Sequence, residues 1–223
     1  DLQCQRLKPD VITCNAVIGA CTQGARWQEA VDVFVDMESC RNEPNLRTYN
    51  AAILICEKCA RWQAALDMIS GMRVRSLEPD AITYNAAMSA CEKSGRAQEA
   101  LAMVADMRLR RTAPDVITYG AAISACENEG QWQDALVLFW DMAVRRVQPD
   151  VVTCSAAISA CEKAALWQDA LGLLWDMVPR RVRHNVIVCS AAISACEKGA
   201  QWRAGTSLLS GMGLRRLEPS VIT

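Results

Sequence analysis

The stretch AITYNAAMSACEKSGRAQEALAMVADMRLRRTAPD, residues 81–115, is one complete unit of a pattern that the chain repeats. Its first half carries small or apolar residues at unit positions 1, 4, 7, 8 and 11, a spacing that places them on one helical face. Its second half carries a similar face at unit positions 17, 20, 21, 24 and 27. Pro114 breaks this second helix, and Asp115 can cap the helix that follows. Each unit is therefore predicted to be a pair of helices.

The unit recurs with a constant step of 35 residues, and proline, cysteine and methionine keep the same phase, except that His184 occupies one proline position. Helices of about 12 residues are marginally stable alone, so the units are expected to stack into an α-solenoid. Residues 1–10 are assigned to the end of a preceding repeat and 221–223 to the start of a following one. The six complete repeats are assigned to 11–45, 46–80, 81–115, 116–150, 151–185 and 186–220.

Composition and charge limit the classes of function. The formal net charge is −1, so the chain has no overall basic excess of the kind that nucleic-acid-binding proteins usually carry. It contains no run of eighteen apolar residues, which predicts no membrane span. The first residues, DLQCQRLKPD (1–10), lack the apolar stretch of a signal peptide, and no targeting segment is visible.

The twelve cysteines are too regularly spaced for a disulfide framework. Six occupy position 11 and three occupy position 4, where cysteine is predicted to be a small buried residue that lets helices approach closely. Cys56 and Cys59 form a lone CxxC pair, which is interpreted as chance because a zinc site needs a second pair. Tryptophan at position 17 is likewise interpreted as helix packing. No cofactor or metal is expected.

The pattern V-x-T-Y-N-A-x-I-x-A-C…A-L-x-L-x-x-x-M…P-D over 35 residues resembles the pentatricopeptide repeat (PPR) family, and residues 81–115 match it closely. The constant repeat length is similar to that of its P-type arrays. The resemblance implies an all-α fold, a right-handed superhelical α-solenoid of helix–turn–helix repeats. It also implies binding of single-stranded RNA by the first helices, with about one base per repeat.

The resemblance assigns base selection to positions 5 and 35 of each repeat. In this chain the pairs are Asn15 with Asn45, Asn50 with Asp80, Asn85 with Asp115, Gly120 with Asp150, Ser155 with Asn185, and Ser190 with Ser220. Position 2 is an apolar residue that wedges against the base in this family. Here the wedge positions hold Ile12, Arg47, Ile82, Ile117, Val152 and Ile187.

The spacing of positions 2, 5, 9 and 13 supports this assignment, because it forms a second stripe turned away from the core face. Exposed aliphatic residues at position 2 are unusual on a solvated face and make sense if a base covers them. Lysine at position 13 can meet phosphates: Lys58, Lys93, Lys163 and Lys198. The alternative for these lysines is ordinary solvated pairing with Glu57, Glu92, Glu162 and Glu197.

The family's code implies a target sequence. Asn with Asp implies U, Asn with Asn implies a pyrimidine, and Ser with Asn implies A. Gly with Asp lies outside the common pairs, its Asp indicating G, and Ser with Ser gives no clear base. Because the family binds RNA in parallel, the implied core is 5′-Y-U-U-(G)-A-N-3′, with parentheses marking the unusual pair.

The sequence departs from the pattern at a few positions. Arg47 replaces an apolar wedge, and His184 replaces the repeat proline and is interpreted as a loop residue. Pro179 is expected to end its helix early. The last second helix contains Gly205 and is expected to be the least stable.

The leading hypothesis is a non-catalytic, sequence-specific RNA-binding array that acts as a monomer in RNA processing, stability, editing or translation. Two alternatives remain: a helical scaffold for protein binding, and the RNA-targeting part of a larger RNA-processing enzyme. The sequence shows no carboxylate–histidine cluster, zinc pattern or Gly-rich phosphate loop, so any catalytic domain is expected outside this segment. Flanking domains could add protein partners. The family suggests a mitochondrion or chloroplast.

Overall fold

A computed structural model describes residues 10–39 and 42–214, which form twelve α-helices and no strand. Each repeat holds two helices, which confirms the all-α fold of helix pairs. The first helices are α1 (Val11–Gln23), α3 (Leu46–Lys58), α5 (Ala81–Lys93), α7 (Val116–Glu129), α9 (Val151–Lys163) and α11 (Val186–Lys198). The second helices are α2 (Trp27–Ser39), α4 (Trp62–Val74), α6 (Ala97–Leu109), α8 (Trp132–Val144), α10 (Trp167–Asp176) and α12 (Trp202–Leu214).

An Asp or Asn caps the N-terminus of every first helix, as the Pro-Asp pairs predict. In α5, Asp80 Oδ1 accepts a hydrogen bond from the backbone N–H of Thr83 at 2.8 Å. The Thr83 hydroxyl in turn accepts from the backbone N–H of Asp80 at 3.3 Å, which completes a capping box. The other caps are Asp10, Asn45, Asp115, Asp150 and Asn185.

The turn between the two helices of a repeat needs one residue in the left-handed conformation. After α9, Leu166 N–H donates to Cys161 O at 2.9 Å and Ala165 N–H donates to Glu162 O at 3.1 Å. This is a Schellman motif, and Ala165 adopts φ 56° to close it. Repeats three and four use Gly95 and Gly130 at this point, whereas the other four repeats use alanine.

Helix α10 has 10 residues, whereas the other second helices have 13. Pro179 lies three residues beyond its end and has no backbone N–H with which to continue the helix. The early end of this helix is therefore confirmed. His184 lies against the same helix, with Nε2 3.0 Å from Leu174 O.

The chain divides into two compact units, one formed by the residues up to 94 with 105–113, the other by 95–104 with the residues from 114 on. In the first unit α3 packs between α1 and α5, while α2 and α4 pack on these first helices. In the second unit α9 packs between α7 and α11, and α8 and α10 both pack on α9.

Most pattern cysteines lie in the helix cores. Five of the six at position 11 are fully buried, and Cys21 is half-buried. Burial raises the pKa of the Cys126 and Cys161 thiols to about 12, so both are protonated at neutral pH. The described cysteines, Cys56 and Cys59 included, form no disulfide, while Cys4 and Cys40 lie outside the described residues. Among the position-17 tryptophans, only Trp202 is exposed and the others are half-buried.

Candidate nucleic-acid interface

Helix capping fixes the orientation of the side chain at position 35. In repeat one, Asn45 Oδ1 accepts from Thr48 N–H at 3.0 Å and from the Thr48 hydroxyl at 3.1 Å. The cap thus uses the amide oxygen, and the amide nitrogen remains as a donor. In repeats two and four, the cap uses Oδ1 of Asp80 and Asp150, and the second oxygen of each carboxylate remains as an acceptor.

In repeat two, the residues at positions 5 and 35 lie together. Asn50 Nδ2 is 3.4 Å from both carboxylate oxygens of Asp80. The Thr83 hydroxyl lies 2.5 Å from Asn50 Oδ1 and 2.8 Å from Asp80 Oδ1. Thr83 is buried, so it anchors both half-buried side chains to the N-terminus of α5.

The position-5 side chains of the other repeats have different surroundings. Asn15 is half-buried, and its Oδ1 is buried without a hydrogen-bond partner in the described part of the chain. Gly120 is buried, and a Cβ built on it would lie 3.5 Å from the Thr153 methyl group. The Ser190 hydroxyl donates to Val186 O at 2.7 Å, within its own helix.

The remaining selecting residues are placed as follows. Asn85 is half-buried on α5, whereas Asp115 caps α7 in the other compact unit. Ser155 is half-buried on α9, and Asn185 caps α11 through Val188 N–H at 2.8 Å. Ser220 lies outside the described residues.

The wedge residues at position 2 are exposed in all six repeats. Ile12 is 77% exposed, and the helix itself does not need an apolar side chain at this exposed position. The other exposed wedge residues are Arg47, Ile82, Ile117, Val152 and Ile187. In five of the six repeats, an accessible aliphatic side chain thus lies three residues before the position-5 residue of the same helix.

The lysines at position 13 are exposed, but three of them are paired with carboxylates. Lys93 Nζ lies 3.0 Å from Glu57 Oε1, in the preceding repeat. The same pairing joins Lys163 to Glu127 and Lys198 to Glu162. The sequence had suggested pairing with glutamates such as Glu57, Glu92, Glu162 and Glu197; the structure shows that each partner comes from the repeat before.

Lys58 differs from these three lysines. Position 12 of the preceding repeat is Thr22 rather than glutamate, and Lys58 Nζ donates to the Thr22 carbonyl at 3.0 Å. Lys58 therefore keeps its full charge on this face, while the other three are partly neutralised. Surface ion pairs contribute about 0–1 kcal/mol each. A phosphate that displaces the glutamate from a paired lysine would therefore lose little free energy.

One contributor to the site was missed from the sequence: threonine at position 3 orients the position-35 cap. The glutamates at position 12 were named, but the pairing of each with the lysine of the next repeat was not predicted. Ser89 and Ser194 at position 9 also donate to these glutamates, at 3.1 Å and 2.9 Å. The signal for the threonines was present, since Thr13, Thr48, Thr83, Thr118 and Thr153 lie on the same 35-residue grid.

Comparison with known proteins identifies the repeats. A family profile described as the PPR repeat family matches residues 9–56, 44–91, 79–128 and 114–163, and one described as the PPR repeat matches 152–178. The chain belongs to the pentatricopeptide repeat family. No curated protein sequence matches this PPR chain.

Solved structures show the same fold. The pentatricopeptide repeat protein PPR10 from maize aligns with a TM-score of 0.75 and 25% identity, over 99% of this chain and 32% of that one. PPR10 in complex with an 18-nt psaJ RNA element aligns with a TM-score of 0.63 and 22% identity, over 98% and 35%. The PPR chain thus spans about a third of the length of these PPR10 chains.

The PPR domain of a second kind of protein also matches. The PPR domain of Arabidopsis thaliana protein-only RNase P 1, in complex with tRNA, aligns with a TM-score of 0.67 and 13% identity, over 76% of this chain and 89% of that one. Within residues 10–39 and 42–214, no group of three or more His, Cys, Asp and Glu side chains could hold a metal ion. None of the described helices is long and apolar enough to cross a bilayer.

Proposed function

We propose that this PPR chain is a non-catalytic array that binds single-stranded RNA in a sequence-specific manner, with about one base per repeat. Its role would lie in RNA processing, stability, editing or translation. The observation that carries the proposal is the capping geometry at position 35. Because the cap always uses Oδ1, an Asp offers a base an acceptor and an Asn offers a donor.

The free acceptor or donor at position 35 would distinguish the bases by the ring nitrogen on their Watson–Crick edge. Uracil and guanine carry an N–H at that position and need an acceptor, whereas cytosine and adenine carry a lone pair and need a donor. Asp80, Asp115 and Asp150 therefore favour U or G. Asn45 and Asn185 favour C or A. This division agrees with the bases that the family code implies for repeats one to five.

Within the pyrimidine that the family code implies for repeat one, cytosine is the base we propose. The capping geometry supports this choice, because the free amide nitrogen of Asn45 can donate to the cytosine ring nitrogen. The proposed target is 5′-C-U-U-G-A-N-3′.

Selection of bound RNA from a random pool tests this proposal. The wild-type chain is expected to enrich the target above, with a U at the third base. Asn85→Thr is expected to move the third base from U to G, because the family code reads Thr with Asp as G. Asn50→Thr is the matched control, since it should move the second base and leave the third unchanged.

An enriched pool without position-specific bases would contradict the proposal. The same holds if Asn85→Thr leaves the third base as U, or if both variants change the same base. A pool that is not enriched at all would favour the protein-scaffold alternative.

A further inference from the structure

We propose that the exposed face of α8 and α10 is a docking surface for a partner protein that presents an acidic amphipathic helix. This surface, named the outer aromatic patch, lies on the second helices of repeats four and five and on the turn that follows α10. Its members are Val137, Trp140, Val144, Trp175 and Val178.

The outer aromatic patch exposes more apolar surface than the fold requires. Trp140 is 49% exposed and Trp175 is 54% exposed. Val137 and Val144 lie three residues before and four residues after Trp140, so the three side chains form one stripe along α8. A contiguous exposed apolar surface with tryptophan at its centre is typical of protein interfaces.

The two tryptophans are specific to these repeats. Both occupy position 25, where the other described repeats carry Val35, Ser70, Ala105 and Ser210. Four repeats therefore form the same helix pair without an aromatic residue at this position. The helix pair therefore does not require a tryptophan at this position, and a partner that covers the exposed halves of both tryptophans would account for them.

The patch continues from one helix to the other. Helices α8 and α10 both pack on α9. Arg180, after α10, places its guanidinium 5.9 Å from the ring centre of Phe139 on α8. Phe139 in turn meets Trp140 edge-on, with ring centres 5.6 Å apart.

The charges beside the patch select an acidic partner. Asp141 is paired with Arg145 and Asp176 with Arg180, through contacts of 3.0 Å and 2.5 Å. Three further arginines are exposed and have no carboxylate partner in the described part of the chain: Arg146, Arg181 and Arg183. This end of the patch is therefore positive, and glutamate or aspartate on a partner helix would complement it.

Two other occupants are outcomes of the test. RNA would use the arginines and the indole rings, although the residues assigned to base selection lie on the first helices or cap them. A second copy of this chain would bring the same surface against itself through an isologous interface. A partner helix with apolar and acidic residues matches both properties of the patch.

A displayed library of 18-residue helical peptides tests the proposal. Each peptide carries Leu, Ile, Phe or Trp at helical spacing and random residues, including both charge signs, elsewhere. The whole chain is the target, and the double variant Trp140→Ser/Trp175→Ser is the counter-target. This variant is expected to fold, since Ser70 already occupies the equivalent position of repeat two.

Peptides rich in Glu and Asp are expected to be enriched, and they should bind the double variant at least about tenfold more weakly than the wild type. Trp202→Ser, at an exposed tryptophan outside the patch, should leave their affinity unchanged. RNA affinity should be the same for the wild type and the double variant. That readout separates failure of this surface from failure of the RNA-binding proposal.

Four results would overturn the inference. One is the absence of enriched peptides, and another is enrichment of basic peptides or of peptides that ignore both tryptophans. A third is self-association in sedimentation that the double variant abolishes, which would make a second copy the occupant. The last is a loss of RNA affinity in the double variant, which would assign the patch to RNA.

Discussion

Replacing Asp80 by Asn changes one atom of the surface that repeat two offers to RNA and keeps the helix cap. Asn45 and Asn185 show that an asparagine caps a first helix of this chain through Oδ1, as Asp80 does. Asp and Asn are nearly equal as N-caps, so the cap itself should change the free energy of unfolding by less than about 0.5 kcal/mol, apart from the loss of the 3.4 Å contact of Asn50 Nδ2 with Asp80 Oδ2. The atom that the cap does not use changes from an acceptor oxygen to a donor nitrogen.

The expected effect on base choice follows from this change of polarity. Uracil at the second base loses an acceptor for its ring N–H, and cytosine gains a donor for its ring nitrogen. Each change is expected to contribute about 1–2 kcal/mol. The ratio of the dissociation constants for the two RNAs should therefore shift by about 30-fold to 1,000-fold in favour of cytosine. The lost negative charge strengthens binding of both RNAs and cancels in the ratio.

Fluorescence polarisation with 5′-CUUGAA-3′ and 5′-CCUGAA-3′ measures this ratio. Asp150→Asn is the matched control, because it makes the same chemical change in repeat four and should leave the ratio at the second base unchanged. Asp80→Ala removes cap and acceptor together and should lower the free energy of unfolding by about 0.5–2 kcal/mol. If Asp80→Asn keeps its stability and still prefers uracil, the capping account of base choice is wrong.

Two further predictions concern charge and backbone strain. Lys58→Gln should reduce the log–log salt slope of RNA binding by about 0.7, from about −3 if all four lysines contact phosphates. Lys93→Gln should reduce it less, since Glu57 already pairs with that lysine; equal reductions would contradict this reasoning. Ala165→Gly should raise the free energy of unfolding by about 0.5–1 kcal/mol in urea titrations, because it relieves a left-handed alanine. Ala164→Gly, at a negative φ, should lower it.

The helix pairs could be predicted from the sequence because their determinants are local. Apolar residues at steps of three and four give the core faces, and the Pro-Asp pair gives both the end of one helix and the cap of the next. Pro179 predicted the short α10 for the same reason. The left-handed alanines were not predicted. Glycine is the residue expected in this conformation, and Gly95 and Gly130 fit it, but the other four repeats have a strained alanine there.

The candidate site was predictable only in part. Positions 2 and 13 are exposed as the helical stripe predicts, but the partners of the lysines are 36 residues away in the chain. Such contacts depend on how one repeat stacks on the next, and the spacing within a repeat does not contain that information. The exposure of Trp140 and Trp175 was also missed. The residue type alone suggests a buried side chain. The roles assigned to the site residues stay predictions.

Capping at position 35 also limits how such an array can change its target. Since this residue must hold the N-terminus of the next helix, few side chains are available there, and most substitutions would be lost through instability before affinity mattered. Aspartate and asparagine both satisfy the cap, and their codons differ by a single nucleotide. Under the proposed code, one point mutation in the gene would therefore exchange a preference for keto bases for a preference for amino bases at little cost in folding. An array built in this way can move to a new transcript in small steps, each of which leaves a stable protein.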